Sequence, residues 1–204
     1  MEIQDELIHY IKQQLLIKET VIVAIDGRCG SGKSTFASVL AKELDGHIIH
    51  MDDFFLPAPL RTKERLQQPG ENIHYERFDE EVIVPLNRGE NIVIQSYDCK
   101  TSSFEEPRNL QKKFLYIIEG SYSLYHKIKD IYDMKIFMTV DSAVQAARIA
   151  ERNGVEGLKA FQQKWIPLEE KYFSESGIEN QCDVIIDTTN GKGFFKKGSK
   201  QIEK

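Results

Sequence analysis

The sequence predicts one α/β domain built on a mostly parallel sheet with helices on its faces. Short apolar runs alternate with segments of helical period, which is the pattern of strand–helix repeats. The apolar runs are continuous rather than alternating, as in strands that are buried on both faces. The chain has 204 residues, which suits one domain of ordinary size.

Hydrophobic periodicity predicts the position of each element along the chain. The predicted helices cover residues 2–17, 34–46, 76–88, 142–153 and 156–175. The predicted strands cover residues 20–25, 47–50, 91–96, 114–118, 134–140 and 184–186. Gly46 is expected to cap the second helix, and Pro85 to kink or shorten the third. Residues 54–75 are rich in proline and are expected to form a long irregular loop, a kind of segment that is often functional.

Composition and charge exclude several classes of function. Hydrophobic residues make up 41% and charged residues 29% of the chain, which is the balance of a soluble globular protein. No apolar run approaches the ~20 residues that cross a bilayer, and the acidic N-terminus is unlike a signal peptide. The net charge of −5 argues against a nucleic-acid partner. The basic tail over residues 190–204 is expected to be a solvated end. Cys29, Cys99 and Cys182 have no paired spacing, which favours a reduced cytoplasmic location over a disulfide or zinc framework.

The most informative segment is the glycine-rich run Gly27-Arg28-Cys29-Gly30-Ser31-Gly32-Lys33-Ser34. It satisfies the phosphate-binding pattern G-x-x-x-x-G-K-[ST] in full, follows a predicted strand and opens a helix. Its glycines let successive backbone N–H groups point inward, and the helix N-terminus adds a positive end. Lys33 can reach the β- and γ-phosphates of a nucleotide, and the Ser34 hydroxyl can bind Mg²⁺. The alternative is a glycine-rich turn without a ligand, but a chance match in a chain of this length is roughly a 1% event.

This motif predicts a P-loop NTPase fold with a five-stranded parallel sheet, but it leaves the reaction open. The guanine-binding sequence Asn-Lys-x-Asp and the transporter signature Leu-Ser-Gly-Gly-Gln are absent from the chain, which is also short for a motor. A small-molecule kinase is therefore favoured over a nucleotide-driven switch.

Carboxylates follow two of the predicted strands. Ligands in open α/β sheets bind at the carboxyl ends of strands, so Asp52 is expected beside the glycine-rich loop. There it would orient an acceptor hydroxyl and take its proton. Asp53 could equally cap the next turn. Glu119 has the position of a Mg²⁺-binding acid, and the alternative is a side chain that faces solvent.

Further candidates lie on the predicted C-terminal helices and in the glycine-rich run. Arg148 and Arg152 are four residues apart on one helix face, where they could clamp a migrating phosphoryl group or simply be solvated. The segment around Trp165 is expected to pack and to kink its helix rather than to stack on a base. Cys29 lies near a helix N-terminus, which would lower the pKa of its thiol and makes a redox role a hypothesis.

These segments resemble the uridine kinase-like branch of the P-loop kinases, which also contains phosphoribulokinase and bacterial pantothenate kinase. The resemblance extends from about residue 20 to 187 and rests on residues 26–35, 51–55, 97–98, 118–120 and 133–137, with the helix that follows. It implies that Asp52 is the catalytic base, that Glu119 belongs to the Mg²⁺ site and that Tyr97 lines the acceptor pocket. It also implies that Arg148 and Arg152 are lid arginines.

Three positions depart from the pattern of that branch. Its nucleoside kinases usually carry an Asp directly after Asn-Phe in the acceptor loop, where this chain has Asn-Ile-His-Tyr at residues 72–75. The His that contacts the pyrimidine edge is missing, and Thr-Ser-Ser lies there at residues 101–103. Gln145 stands where a further Arg is common. These changes leave ATP chemistry intact and weaken the case for uridine itself.

The sequence therefore predicts an ATP- and Mg²⁺-dependent kinase that phosphorylates a hydroxyl of a small molecule, with uridine or cytidine as the leading acceptor. Pantothenate, nicotinamide riboside and sugars are left open as acceptors. So is a protein of another class, a nucleotide-gated binding protein without phosphoryl transfer. The chain is expected to be one kinase domain with an acceptor loop over about residues 54–111 and a short helical lid over about 148–175. No membrane partner is expected, and the sequence leaves open whether the protein is a homo-oligomer.

Four sets of site residues follow from this prediction. The expected nucleotide-binding residues are Gly27, Arg28, Cys29, Gly30, Ser31, Gly32, Lys33, Ser34 and Thr35. The expected Mg²⁺ ligands are Ser34, Asp52 and Glu119. The expected acceptor contacts are Asp52, Phe55, His74 and Tyr97. The expected catalytic residues are Lys33, Asp52, Arg148 and Arg152.

Overall fold

A computed structural model describes residues 3–190 and the backbone of residues 192–195. The strands are β1 Val21–Gly27, β2 His47–His50, β3 Ile92–Ile94, β4 Tyr97–Asp98, β5 Ser103–Phe104, β6 Arg108–Leu110, β7 Leu115–Glu119, β8 Met134–Thr139, β9 Val184–Asp187 and β10 Lys192–Phe195. The helices are α1 Ile3–Leu15, α2 Lys33–Leu44, α3 Lys63–Gln67, α4 Tyr75–Phe78, α5 Val84–Arg88, α6 Ser142–Ala160, α7 Ile166–Ser176 and α8 Ile178–Gln181. Apart from Asn190 and the backbone of residues 192–195, the predicted basic tail lies outside the described residues.

A parallel sheet forms the centre of the molecule. Its five parallel strands lie in the order β9-β8-β1-β7-β2, and β10 adds an antiparallel strand beside β9. The predicted five-stranded parallel sheet is therefore confirmed. The strand predicted over residues 91–96 is not part of this sheet, because β3 pairs with β6 in a separate antiparallel ribbon.

Both faces of the sheet are buried, as the continuous apolar runs predict. On one face, α1 and α2 form a core with the sheet, whose members include Leu7, Ile11, Val23, Ile25 and Leu40. On the other face, the segment after β2 and the C-terminal helices form a second core, whose members include Phe54, Phe78, Phe137 and Tyr172. Charged and polar ligands can therefore approach the sheet only at its edges.

The end of α2 differs in one detail from the prediction. The residue in the left-handed conformation is Asp45, with φ of +51°, and not Gly46. Gly46 instead donates its N–H to the carbonyl of Ala41. A Cβ atom on Gly46 would lie 2.9 Å from the side chain of Leu115. Glycine is therefore suited to this position by close packing rather than by a positive φ.

Two π-helical turns lie inside segments that the sequence predicts as single helices, residues 76–88 and 156–175. The turn Asp79–Ile83 joins α4 to α5, so the chain stays helical through Pro85. The turn Phe161–Trp165 joins α6 to α7 and directs Trp165 towards the site described below. In the part of the chain that is described, no helix is long and apolar enough to cross a membrane.

Candidate active site

The glycine-rich loop crosses the carboxyl edge of the sheet between β1 and α2. Gly30 and Gly32 have φ values of +74° and +91°, which residues with a Cβ atom rarely adopt. A Cβ atom on Gly32 would have no neighbour within 4 Å, so the loop borders open space there. The ammonium of Lys33 donates to the carbonyl oxygens of Gly27, at 2.7 Å, and Arg28, at 3.0 Å. A buried cation and a helix N-terminus thus meet at one point, as anion binding requires.

A cavity of about 600 Å³ opens beside this loop. Most of the site residues that the sequence predicts line it: Cys29, Gly30, Gly32, Lys33, Ser34, Thr35, Asp52, Phe55, Glu119, Arg148 and Arg152. The predicted residues that do not line it are Gly27, Arg28, Ser31, His74 and Tyr97. Segments far apart in sequence therefore converge on one chamber at the edge of the sheet.

Asp52 reaches the cavity from the turn that follows β2. Its carboxylate faces the open chamber, but the protein atoms around it desolvate it, and this burial raises the pKa of Asp52. Lys33 opposes this shift, whereas Glu119 and Glu169 add to it. A carboxylate with a raised pKa is a better proton acceptor than an ordinary aspartate.

The neighbouring Asp53 has a different environment. Its carboxylate accepts a hydrogen bond from Arg108 at 2.6 Å, and it does not line the cavity. Arg108 lies on β6, so this ion pair holds the β3–β6 ribbon against the turn after β2. Only the first of the two adjacent aspartates is therefore available to a ligand in the chamber.

Glu119 lies where the ends of three strands meet. It pairs with Ile25 of β1 and with His50 of β2 in the register of the sheet. Its carboxylate accepts a hydrogen bond from the Ser34 hydroxyl at 3.0 Å and contacts Nδ1 of His50 at 2.5 Å. The hydrogen bond to Glu119 raises the pKa of His50. No sequence signal singles out His50, because its role depends on a strand that is 69 residues away in the chain.

The two arginines of α6 also line the cavity. The guanidinium of Arg148 donates to the Gly30 carbonyl at 3.1 Å and to the Thr188 hydroxyl at 2.8 Å, which ties α6 to the glycine-rich loop. Arg152 is exposed and lies over the ring of Phe161. Arg148 is therefore fixed at the loop, whereas Arg152 lies at the mouth of the chamber.

Helix α7 contributes a carboxylate that sequence reasoning missed. Glu169 is buried, accepts the backbone N–H of Cys29 at 3.0 Å and accepts the Ser121 hydroxyl at 2.6 Å. Its neighbour Glu170 forms a two-pronged ion pair with Arg28, at 2.7 and 2.9 Å. These contacts fasten the glycine-rich loop to α7. No local pattern marks Glu169, because a single acid on an amphipathic helix is usually solvated.

Cys29 does not have the environment that the sequence suggests. The position near a helix N-terminus predicts a lowered thiol pKa, but burial raises the pKa of Cys29, and the adjacent Glu169 carboxylate raises it further. A thiol with a raised pKa is a poor nucleophile. The expectation of a lowered pKa was therefore wrong, because it ignored desolvation and a carboxylate that comes from α7. None of the three cysteines, all of which lie among the described residues, forms a disulfide.

His74 and Tyr97 lie away from the chamber. His74 precedes α4, and burial lowers the pKa of its imidazole. Tyr97 is buried on β4, where its ring packs edge-on against Phe104 with 5.2 Å between centroids. His74 is close to the turn that carries Asp52, since its backbone N–H donates to the Phe54 carbonyl at 2.7 Å, but neither residue lines the chamber.

The donor atoms at the loop suit a magnesium–nucleotide complex. Ser34 and Glu119 place a hydroxyl and a carboxylate side by side, and Asp52 lines the same cavity. Among the described residues, no group of three or more His, Cys, Asp or Glu side chains could hold a metal ion. Mg²⁺ is usually held by one or two carboxylates together with substrate phosphates. The residues present therefore fit an ion that arrives with a nucleotide.

Comparisons with known proteins agree with this geometry. The model of the Phosphoribulokinase / Uridine kinase family matches residues 22–156, which is more than half of the chain. A uridine kinase from Staphylococcus aureus is 27% identical over 150 residues, covering 69% of this chain and 72% of that protein.

Solved structures are also similar. One is that of a possible uridine kinase from Bacillus stearothermophilus, with 18% identity, a TM-score of 0.65 and coverage of 89% of this chain and 97% of the other. Another is YFH7 from Saccharomyces cerevisiae, with 14% identity, a TM-score of 0.62 and coverage of 93% and 98%. At these identities the likeness concerns the fold, and it agrees with the predicted P-loop NTPase fold.

Proposed function

Since the chain belongs to the Phosphoribulokinase / Uridine kinase family, we propose that it transfers the γ-phosphoryl group of ATP to a hydroxyl of a small metabolite. The observation that carries this proposal is the convergence of Lys33 at the glycine-rich loop, Asp52 after β2 and Glu119 at the end of β7 on one cavity. A phosphate-binding loop alone would serve a switch equally well. Asp52, a carboxylate on the same chamber, adds the proton acceptor that transfer to an alcohol uses.

The phosphates of ATP occupy the glycine-rich loop in this proposal. Backbone N–H groups between Gly30 and Thr35 donate to the phosphate oxygens, and Lys33 turns from the loop carbonyls to the β- and γ-phosphates. Ser34, Asp52 and Glu119 would hold Mg²⁺. When bound, the ion supplies positive charge beside the phosphate oxygens.

Asp52 acts on the acceptor. Its carboxylate accepts a hydrogen bond from the acceptor hydroxyl and takes the proton as the hydroxyl oxygen bonds to the γ-phosphorus. The bond between the γ-phosphorus and the bridging oxygen breaks, and ADP leaves with that oxygen. Lys33, Arg148 and Arg152 stabilise the negative charge that the transferring group carries.

Uridine and cytidine are the first acceptors to test, since the curated relatives are named uridine kinases. The sequence departures at residues 72–75 and 101–103 keep pantothenate, nicotinamide riboside and sugars in the same panel. ADP release is measured for each acceptor with Mg²⁺ and ATP present.

The test of the proposal is Asp52→Asn, with the adjacent Asp53→Asn as the matched control. Asp52→Asn is expected to lower turnover by about 10²- to 10⁴-fold because the proton acceptor is lost, while ATP still raises the melting temperature in the presence of Mg²⁺. Asp53→Asn breaks only the ion pair with Arg108 and is expected to keep most of the activity. Full transfer activity in Asp52→Asn would refute the assignment of the base. ATP binding without ADP release for every acceptor would favour a nucleotide-gated binding protein instead.

A further inference from the structure

A second cavity, of about 330 Å³, adjoins the first one. It lies between the loop after β2 and helix α7, and Phe55, Tyr122 and Trp165 line both cavities. Its volume lies in the range of small-molecule binding sites. A molecule in the second cavity would therefore share a wall with the chamber that contains Asp52.

Every charged side chain that lines the second cavity is basic, namely Arg61, Lys164 and Lys171. Within the part of the chain that the structure describes, neither Arg61 nor Lys164 has a carboxylate partner within 4.0 Å. Lys171 has only Glu175, at 3.9 Å. The chain as a whole carries a net charge of −5, so the positive charge at this cavity is opposite in sign to the net charge of the protein.

Two uncharged donors on the same wall lack partners. Tyr122 is 4% exposed, and its hydroxyl forms no hydrogen bond. The side-chain NH₂ group of Asn72 is also buried without a partner. Leaving a buried polar group unpaired costs about 1–3 kcal/mol, so each such group calls for an explanation. Tyr122 also has a φ of +77°, which is strained for a bulky residue and is characteristic of ligand sites.

We propose that the second cavity holds the body of the phosphoryl acceptor, and that this acceptor carries an anionic group, a carboxylate or a phosphate, in addition to its reacting hydroxyl. The inference rests on the proposed function, because the hydroxyl must reach Asp52 in the first cavity. Apolar atoms of the acceptor contact Phe55 and Trp165, whose ring centroids are 6.0 Å apart. The anionic group lies among the three cations. A neutral nucleoside would leave Arg61 and Lys164 without a counter-charge.

Binding of matched pairs of small molecules tests this inference without relying on transfer. Pantothenate and pantothenol differ by a carboxylate, and ribose 5-phosphate and ribose differ by a phosphate. Each is titrated by calorimetry into the full chain with Mg²⁺ and a non-hydrolysable ATP analogue present. We expect the anionic member of at least one pair to bind about ten-fold or more tightly than the neutral member. A preference for pantothenate over pantothenol would identify the anionic group of the acceptor as a carboxylate. A preference for ribose 5-phosphate over ribose would identify it as a phosphate.

Variants locate the preference in the second cavity. The combined substitution Arg61→Gln, Lys164→Gln and Lys171→Gln is expected to remove about ten-fold of the preference, since each partly exposed charge contributes a small amount. The matched control is Lys12→Gln, Lys42→Gln and Arg88→Gln, which removes three exposed cations that line neither cavity and is expected to retain the preference.

The outcomes separate this inference from the proposed function. Equal binding within both pairs, or a preference that survives the triple substitution, would overturn the anionic acceptor. ADP release with neutral acceptors only would also overturn it, but would leave the proposed kinase function intact. Absence of ADP release with every acceptor, together with a clear preference for one anionic molecule, would refute transfer and retain an anion-binding cavity.

Discussion

Gly27 shows how a single residue makes the entry to the glycine-rich loop possible. It is the last residue of β1, and it pairs with Met138 of β8. Its φ is +134°, and a Cβ atom placed on it would lie 2.0 Å from the carbonyl oxygen of Met138. Any side chain at this position would therefore push two central strands apart next to the phosphate-binding loop.

Gly27→Ala is accordingly expected to be far more damaging than Gly154→Ala. Gly154 also has a positive φ, of +74°, but a Cβ atom there would have no neighbour within 4 Å. Strain alone should cost Gly154→Ala about 1–3 kcal/mol, whereas Gly27→Ala adds a clash with backbone and should cost more than that or prevent folding. Urea unfolding followed by circular dichroism measures both. Equal losses in the two variants would contradict this account.

At the scale of residues, local pattern decided what the sequence could predict. Lys33 and Ser34 belong to a contiguous motif, and Asp52 and Glu119 lie at the ends of strands. Their position in the sequence was therefore enough to predict that they line the cavity. Glu169 follows no such pattern, and it reaches the loop only because α7 packs against it. Other residues missed for the same reason are His50, Ser121, Tyr122 and Phe161. Trp165 was predicted to serve packing, but it lines both cavities.

Two of the predicted acceptor contacts, His74 and Tyr97, do not line the cavity, and they show where prediction from a single sequence fails. Tyr97 was assigned by resemblance to a family pattern, and His74 by its place in the predicted acceptor loop, rather than by a strand end or a motif. In the structure, Tyr97 belongs to a small ribbon in which β4 pairs with β5, and its side chain packs there. The path of a long loop depends on contacts with distant segments, and a single sequence does not specify those contacts.

Among the elements, α1 is the one whose packing is simplest to test. Leu7 is fully buried in the core that α1 and α2 form with the sheet, whereas Leu16, just beyond the helix, is 86% exposed. Leu7→Ala is expected to lower the free energy of unfolding by about 2–5 kcal/mol, because it removes buried surface and leaves a cavity. Leu16→Ala is expected to change it by less than about 0.5 kcal/mol. Thermal or urea unfolding of both variants measures this difference, and a small effect of Leu7→Ala would show that α1 is loosely attached.

The central elements were predictable because their signals are local and strong. Buried parallel strands are continuous apolar runs, and all five appear in the sequence close to their observed bounds. The edge strand β10 was missed, since Lys-Gly-Phe-Phe at residues 192–195 lacks such a run and is ordered by pairing with β9. The run at 91–96 was identified as a strand, but its antiparallel partner β6 is a polar segment that carries no strand signal.

Asp26 connects the elements of the whole molecule. It is fully buried at the end of β1, and its carboxylate accepts backbone N–H groups of Gly27, Tyr122 and Leu124. It also accepts the hydroxyl of Tyr172 on α7, at 2.9 Å. One side chain thus joins β1, the segment after β7 and α7. Burial is the largest influence on its ionisation, and it raises the pKa of Asp26 from 3.8 to about 6.

This shift predicts how stability depends on pH. Between pH 3.8 and about 6 the folded state binds the proton of Asp26 while the unfolded state has released it. Stability from this group therefore falls as the pH rises through that window, by about 3 kcal/mol in total at about 1.4 kcal/mol per pKa unit. Asp26→Asn cannot ionise, so the free energy of unfolding of the wild type relative to this variant should decline by most of that amount between pH 4 and 7. Urea unfolding of both proteins across this range measures the difference. A difference that is constant with pH would mean that Asp26 has an ordinary pKa, and a difference that grows in favour of the wild type would mean that its four hydrogen bonds outweigh its burial.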